Sequence, residues 1–208
     1  MNIRYLVYVV FILSILISPA SHASPALLVF GDSLSAAYGI PVNQSWVHLL
    51  GERISKQGYP FKVFNASISG ETTSGGLSRI DAAVSKYLPR VVLIELGAND
   101  GLRGLPVKDM QNNLQEMIQV CKKHHAKILL LGMMIPPNYG LRYTEEFKNS
   151  YLELAKKNKI AVVPFLLEGV AGKSDMTQDD GLHPTAEAQD QIMETVWKEL
   201  KPILDKTN

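Results

Sequence analysis

Residues 26–34 read Ala26-Leu27-Leu28-Val29-Phe30-Gly31-Asp32-Ser33-Leu34. The unbroken apolar run from Ala26 to Phe30 is typical of a strand that is buried on both faces, and Gly31 with Asp32 indicates the turn that ends it. Strands of this kind belong to parallel sheets covered by helices. Ser33 is therefore predicted to lie just beyond the carboxyl end of a strand, at the edge where such sheets bind ligands.

Similar apolar runs alternate with helical patterns along the rest of the chain. The predicted strands are Ala26–Phe30, Phe61–Phe64, Val91–Leu96, Lys127–Met133 and Ile160–Val163. The predicted helices are about Ser45–Gln57, Ser74–Tyr87, Val107–His124, Thr144–Asn158 and Pro184–Leu204, the last with proline in its first turn. This alternation predicts an α/β protein with a five-stranded parallel sheet in a single domain.

The N-terminal segment has the pattern of a secretory signal. Met1 to Arg4 is short and basic, Tyr5 to Ile17 is apolar apart from Ser14, and Ser21-His22-Ala23 offers small residues for cleavage after Ala23. An uncleaved membrane anchor is the alternative, but about 13 apolar residues fall short of the roughly 20 that a spanning helix needs. We therefore predict a signal peptide over 1–23, a folded domain over 24–208 without a stable membrane anchor, and export to the periplasm or medium.

Cysteine content and charge bear on disulfides and on binding partners. Cys121 is the only cysteine, so no intramolecular disulfide can form. The chain has 21 Lys and Arg and 20 Asp and Glu; removing Arg4 with the signal leaves 20 of each and a formal net charge of zero. A balanced charge gives no electrostatic reason to expect a nucleic-acid or acidic-membrane partner. We expect a monomer.

Polar motifs fall at the predicted carboxyl ends of strands or just before the last helix. They are Gly31-Asp32-Ser33, Ser69-Gly70-Glu71-Thr72, Gly97-Ala98-Asn99-Asp100 and Asp180-Gly181-Leu182-His183. A serine hydroxyl becomes a nucleophile when a base takes its proton and a third group orients that base. Ser33, His183 and Asp180 can fill these roles, with Asp179 as an alternative to Asp180. Pro184 would place His183 at the positive end of the last helix, which would keep its ring neutral.

These motifs, in this order and spacing, resemble the SGNH (GDSL) hydrolase family over nearly the whole mature chain. The resemblance implies a three-layer α/β/α, flavodoxin-like fold with Ser33 as nucleophile, His183 as base and Asp180 as its orienter. It also implies an oxyanion hole formed by the Ser33 amide, the Gly70 amide and the Asn99 side chain. Ala98 stands where the family pattern has glycine. Neither a metal nor a cofactor is expected.

Two apolar stretches near the motifs are predicted to contact the acyl chain. They supply Leu102, Leu105, Pro106, Ile135, Pro137 and Tyr139. Gly101 and Gly104 flank Leu102 and Arg103, so we expect that this segment moves over the site when an acyl chain binds. Cys121, His124 and His125 share one predicted helix with no second ligand group nearby, so they are not predicted to bind a metal.

The sequence thus predicts a secreted serine esterase and thioesterase. The resemblance implies a broad range of small-molecule acyl ester and thioester substrates, including aryl esters, acyl-CoA and lysophospholipids. A carbohydrate O-acetylesterase of the same fold is an alternative enzyme, and an inactive lipid-binding module is an alternative of another class.

Overall fold

The computed structural model describes residues 24–207, and the predicted signal segment lies outside them. Its strands are β1 (Ala26–Gly31), β2 (Lys62–Asn65), β3 (Pro89–Glu95), β4 (Lys127–Leu131) and β5 (Ala161–Val163). Its α-helices are α1 (Trp46–Lys56), α2 (Thr73–Tyr87), α3 (Ala98–Leu102), α4 (Val107–Lys123), α5 (Leu141–Asn158) and α6 (Gln189–Asp205). Short 3-10 helices cover Val42–Gln44, Pro137–Tyr139 and Ala186–Ala188.

The strands form one parallel sheet in the order β2-β1-β3-β4-β5. Helices α1 and α6 pack together on one face, whereas α2, α4 and α5 pack on the other. This is the predicted three-layer α/β/α fold, with the strand order of flavodoxin-like sheets. The connection after β1 leads to β2 on one side, and the connection after β3 leads to β4 on the other side. The carboxyl ends of β1 and β3 therefore border the crevice at this switch point.

The core is formed by the central strands and the helix faces that cover them. Leu27, Leu28, Val29 and Phe30 of β1 are fully buried, and so are the apolar residues at the centre of β3. Trp46 of α1 and Tyr151 of α5 are the largest of the fully buried side chains. Because both faces of the sheet are covered, the central strands need the continuous apolar runs that identify them in the sequence.

The predicted element types are confirmed, but several ends differ. β4 ends at Leu131 rather than Met133, because its pairing with β3 ends at Leu130 and its pairing with β5 ends at Leu131, opposite Val163. Helix α5 begins at Leu141, before the predicted Thr144. Helix α3 was not predicted. None of the helices described between residues 24 and 207 combines the length and apolar composition needed to cross a membrane.

The largest difference concerns the last helix. It was predicted from Pro184, but α6 begins at Gln189 after a short 3-10 turn. Pro184 instead pairs with Thr177 in an isolated antiparallel bridge, and the Thr185 amide donates to the Met176 carbonyl at 2.9 Å. The chain therefore remains extended at Pro184 and Thr185, and helical structure begins only at Ala186.

Candidate active site

Ser33 and His183 meet at the carboxyl edge of the sheet. Ser33 follows the last residue of β1 by two positions, and the chain there forms a series of turns rather than a helix. His183 comes from a hairpin closed by the bridge between Thr177 and Pro184. The distance between His183 Nε2 and Ser33 Oγ is 2.8 Å.

Asp180 holds the other ring nitrogen of the histidine. Its Oδ2 atom lies 2.5 Å from His183 Nδ1, and its Oδ1 atom accepts hydrogen bonds from the Leu182 and His183 amides, each at 2.9 Å. An ionised carboxylate only accepts hydrogen bonds, so Nδ1 carries the hydrogen. In the neutral ring, Nε2 is then free to accept the proton of the Ser33 hydroxyl.

Asp180 stays ionised over a wide pH range. Partial desolvation raises its pKa, but the hydrogen bonds from the His183 amide, the His183 ring and the Leu182 amide outweigh this effect and lower the pKa to about 2. Asp179 makes no hydrogen bond to His183 among the described residues, which leaves Asp180 as the partner of the ring.

The expected helix dipole at His183 is absent from the described structure. Helix α6 begins at Gln189, so His183 does not lie in or next to its first turn, where the dipole acts. The ring is instead positioned by Asp180 and by the hairpin backbone, in which the Gln178 amide donates to the His183 carbonyl at 2.7 Å.

Two backbone amides at the crevice are available as donors. Within residues 24–207, neither the Ser33 amide nor the Gly70 amide donates a hydrogen bond. Gly70 has a φ of +79° and no atom within 4 Å of where a Cβ would stand. The backbone conformation, rather than crowding around a Cβ, therefore favours glycine at this position.

Asn99 lies on α3, one residue from its start, and its side-chain amide points to the same region. Nδ2 donates to the Glu71 carbonyl at 3.0 Å and to Asp32 Oδ2 at 3.1 Å. Both neighbours are acceptors, so they require the NH₂ end of the amide rather than its oxygen at this position. Both hydrogens of Nδ2 are therefore already engaged, and one of them must be shared with the substrate oxygen if Asn99 is to donate to it.

A buried pair of carboxyl groups lies beneath these residues, and the sequence analysis did not identify it. Asp32 and Glu95 are both fully buried. Asp32 Oδ1 accepts from the Leu34 amide at 3.0 Å, and Glu95 Oε2 accepts from the Asp32 amide at 3.1 Å and from Ser35 Oγ at 2.8 Å. Asp32 thus links two parts of the site, namely the turn that contains Ser33 and the side-chain amide of Asn99. The sequence did contain one signal for this pair: Glu95 is an acidic residue in the predicted strand Val91–Leu96, which is otherwise apolar.

Burial changes the protonation of this pair. Desolvation raises the pKa of Asp32 to about 6, although hydrogen bonds from the Leu34 amide and Asn99 oppose the shift. Desolvation and the nearby charge of Asp32 raise the pKa of Glu95 well above its usual range. Glu95 Oε1 has no hydrogen-bond partner within the described part of the chain. A neutral Glu95 is the less costly form, since an unpaired buried charge is strongly unfavourable.

A crevice of about 650 Å³ extends from Ser33, His183 and Asn99. Of the predicted acyl contacts, Leu102, Ile135 and Pro137 line it. The loops after β4 and β5 and the segment before the hairpin add further apolar lining, namely Met133, Met134, Phe165, Leu167, Val170 and Ala171. The residues after β5 were missed, although the rule that ligands bind at carboxyl ends of strands applies to them equally.

Leu105, Pro106 and Tyr139 do not line the crevice wall. Pro106 is the N-cap residue of α4, and Leu105 is 39% exposed. Tyr139 lies at the rim, where its hydroxyl donates to the Leu102 carbonyl at 2.8 Å. With Arg103 Nη2, which donates to the Gly70 carbonyl at 3.0 Å, it holds the 102–105 segment beside the site.

The described residues offer no arrangement suited to a metal ion. Between residues 24 and 207, no group of three or more His, Cys, Asp or Glu side chains is placed to hold one. Cys121 is fully buried, and desolvation raises the pKa of its thiol to about 12, so the thiol is inert in the native state.

The sequence profile of the GDSL-like lipase/acylhydrolase family matches residues 29–191. The chain belongs to this family. Membership accounts for the fold and for the position of the Gly31-Asp32-Ser33 turn, and it makes the protein an enzyme of the hydrolase class.

Relatives of known name are similar along nearly their whole length. Esterase TesA of Pseudomonas aeruginosa is 48% identical over 192 residues, 92% of this chain and 96% of the relative. An arylesterase of Vibrio mimicus is 46% identical over 184 residues, 88% and 92% of the two chains. The thioesterase 1/protease 1/lysophospholipase L1 of Escherichia coli K12 is 38% identical over 195 residues, 94% and 92% of the two chains.

A solved structure of this family agrees with the fold. The crystal structure of TesA matches with a TM-score of 0.84 at 50% sequence identity, covering 85% of this chain and 98% of that one. The flavodoxin-like strand order and the helical layers on both faces are therefore shared with a GDSL-like relative.

Proposed function

We propose that this chain is an exported serine esterase and thioesterase that hydrolyses acyl esters through Ser33, His183 and Asp180. One observation carries the proposal: Asp180, His183 and Ser33 are hydrogen-bonded in series, at 2.5 Å and 2.8 Å. This is the order in which a serine nucleophile, its base and the orienter of that base must be connected.

Acylation begins when Ser33 Oγ attacks the carbonyl carbon and its proton passes to His183 Nε2. The carbonyl π electrons move to oxygen, and their return expels the alcohol or thiol, which takes the proton from Nε2. Water then repeats the same steps on the acyl-serine, releasing the carboxylic acid and restoring the Ser33 hydroxyl. Asp180 stabilises the imidazolium that forms in both halves.

The carbonyl oxygen gains negative charge in each step. The free amides of Ser33 and Gly70 and the Nδ2 group of Asn99 are the donors proposed to stabilise it. Removing one such donor typically costs about 3–4 kcal/mol of transition-state stabilisation. The expected loss for Asn99→Ala is therefore about 10²- to 10³-fold in kcat.

The crevice supports acyl groups longer than acetyl. Its volume of about 650 Å³ and its lining of Leu102, Ile135, Phe165, Leu167 and Val170 suit an aliphatic chain. Carbohydrate O-acetylesterase activity remains the alternative, and release of acetate from acetylated glycans without cleavage of medium-chain esters would favour it. An inactive lipid-binding module is disfavoured by the hydrogen bond between Ser33 and His183.

A substrate panel with a nucleophile variant tests the proposal. The wild-type enzyme should hydrolyse p-nitrophenyl esters, acyl-CoA and lysophosphatidylcholine, and a fluorophosphonate probe should label Ser33. Ser33→Ala should lose labelling and at least about 10³-fold of turnover. Retention of more than about a thousandth of wild-type turnover by Ser33→Ala would exclude Ser33 as the nucleophile.

We further propose that residues 1–23 are removed during export, which accounts for the basic, apolar and small-residue pattern. Whole-protein mass spectrometry of the secreted or periplasmic fraction should find a chain that begins at Ser24. Retention of Met1 to Ala23 in that fraction would contradict cleavage.

A further inference from the structure

The proposed mechanism fixes where the leaving group lies. His183 Nε2 donates its proton to the departing oxygen or sulfur atom, so that atom must come within hydrogen-bond reach of Nε2. Whatever is attached to it begins beside the imidazole ring. The crevice residues from this neighbourhood are Tyr38, Gly181, Leu182 and Pro184. We call them the leaving-group subsite.

Tyr38 supplies the aromatic ring of this subsite. Its ring centroid lies 4.4 Å from that of His183, with an angle of 37° between the planes. Tyr38 is nevertheless 51% exposed, so His183 covers only part of the ring. Tyr38 lines the crevice together with Ser33 and His183, so its uncovered part is available to a group attached to the leaving atom.

The backbone of Tyr38 is held from two sides. Its amide donates to the Ser33 carbonyl at 3.3 Å, and its carbonyl accepts from Gln178 Nε2 at 2.9 Å. Gln178 Nε2 also donates to the Pro184 carbonyl at 2.8 Å, in the hairpin that carries His183. Ala37 has a φ of +61°, which is unfavourable for a residue other than glycine. Strained backbone that the surrounding contacts maintain is typical of functional sites.

We propose that Tyr38 is a specificity-determining residue that favours esters with a planar aromatic leaving group. The proposal rests on the proposed function, since it requires His183 to protonate the leaving atom. Aromatic rings prefer offset or tilted contact with another ring, and such pairs gain about two- to tenfold over an aliphatic contact of equal area. A planar ring can slide over the open part of Tyr38, whereas a puckered saturated ring makes fewer close contacts with it.

The test compares two esters that differ only in this property, benzyl butyrate and cyclohexylmethyl butyrate. Both give the same butyryl-enzyme, and both release primary alcohols of similar size. kcat/KM reports only the steps through acylation, during which the leaving group is still bound. We expect the wild-type enzyme to prefer the benzyl ester, and Tyr38→Leu to lower the ratio of the two kcat/KM values by about two- to tenfold.

Tyr38→Phe is the matched control, because it keeps the ring and removes only the hydroxyl group. It should retain the wild-type ratio. A parallel loss for both esters in Tyr38→Leu, with the ratio unchanged, would show that Tyr38 only supports His183 and would overturn the inference. Failure of the wild-type enzyme to cleave either ester, together with absence of fluorophosphonate labelling, would instead overturn the proposed function and this inference together.

Discussion

At the residue scale, Asp180 divides its hydrogen bonds between its two oxygens. Oδ1 accepts from the Leu182 and His183 amides, and Oδ2 accepts from the His183 ring. In Asp180→Asn, the amide oxygen can keep the backbone bonds while the NH₂ group faces Nδ1. The hydrogen of the ring is then forced onto Nε2, which can no longer take the Ser33 proton. We expect kcat for p-nitrophenyl butyrate to fall about 10³- to 10⁴-fold.

Asp179→Asn is the control for this change, because Asp179 is exposed and does not bond His183 among the described residues. Its kcat should stay within about twofold of wild type, as for most surface substitutions away from special features. A large loss in Asp179→Asn with near-normal activity in Asp180→Asn would reverse the assignment made from the spacing.

The buried pair of Asp32 and Glu95 makes stability depend on pH. The folded-state pKa of Asp32 is raised from 3.8 to about 6, so the native protein holds an additional proton between these values. The stabilisation is fully present below pH 3.8 and is lost as the pH rises through about 6, by on the order of 3 kcal/mol. Asp32→Asn removes this titration. The free energy of unfolding, measured in urea, should therefore fall less steeply between pH 4 and pH 7 in the variant than in the wild type. Equal slopes in the two proteins would contradict the protonation of Asp32.

Sequence motifs pointed to Ser33 and to the pair Asp180 and His183, because the proposed chemistry needs these side-chain types and the pair is only three positions apart. They did not identify Tyr38 or the pairing of Asp32 with Glu95. These features depend on which segments meet in space: Glu95 is 63 positions from Asp32, and Gln178 is 140 positions from Tyr38. No local period or motif encodes such contacts.

At the element scale, the segment around α3 offers a matched pair of glycine substitutions. A Cβ at Gly101 would lie 2.6 Å from Ile135 Cγ2 and 2.6 Å from Phe147 Cε2, so Gly101→Ala overpacks the core and should cost about 1–3 kcal/mol. Gly104 has open space but a φ of +66°. Gly104→Ala should cost only about 1 kcal/mol of backbone strain. Urea unfolding of both variants measures their losses of unfolding free energy. A larger loss in Gly104→Ala than in Gly101→Ala would contradict the prediction.

The same segment shows what the pattern of elements could not predict. Gly97, with a φ of +119°, precedes α3 as its N-cap residue, in a stretch where no helix was predicted. α3 is a single turn, too short for a helical period to appear. Proline at 184 likewise suggested a helix start, but the pairing of residue 177 with 184 keeps the chain extended. Movement of residues 101–104 over the crevice stays a prediction.

At the scale of the whole molecule, Cys121 can report on global unfolding. It lies fully buried on α4, in the layer that covers the sheet. Its thiol should react with Ellman's reagent only when the core opens, since a buried, protonated thiol is not nucleophilic. The urea midpoint for labelling should therefore equal the midpoint measured by circular dichroism. Labelling well below that midpoint would reveal a local opening of the α4 layer.

The architecture as a whole was the most predictable level. Five apolar runs separated by helical patterns lead to one parallel sheet, because few other topologies bury such strands on both faces. Parallel strands also bring their carboxyl ends together, which explains why separated motifs could be expected at one edge. The apolar lining of the crevice could not be predicted in full, because it depends on where the loops after β4 and β5 lie in the folded protein.

The hairpin from Thr177 to Pro184 has a consequence for heat tolerance. It carries both His183 and Asp180, its tip from Asp179 to Leu182 is exposed, and its bridge is not part of the central sheet. Weakly packed surface segments open before a core does. If Asp180 and His183 act as proposed, warming should displace them while the sheet and its helices are still folded, so activity should be lost at temperatures below the melting temperature.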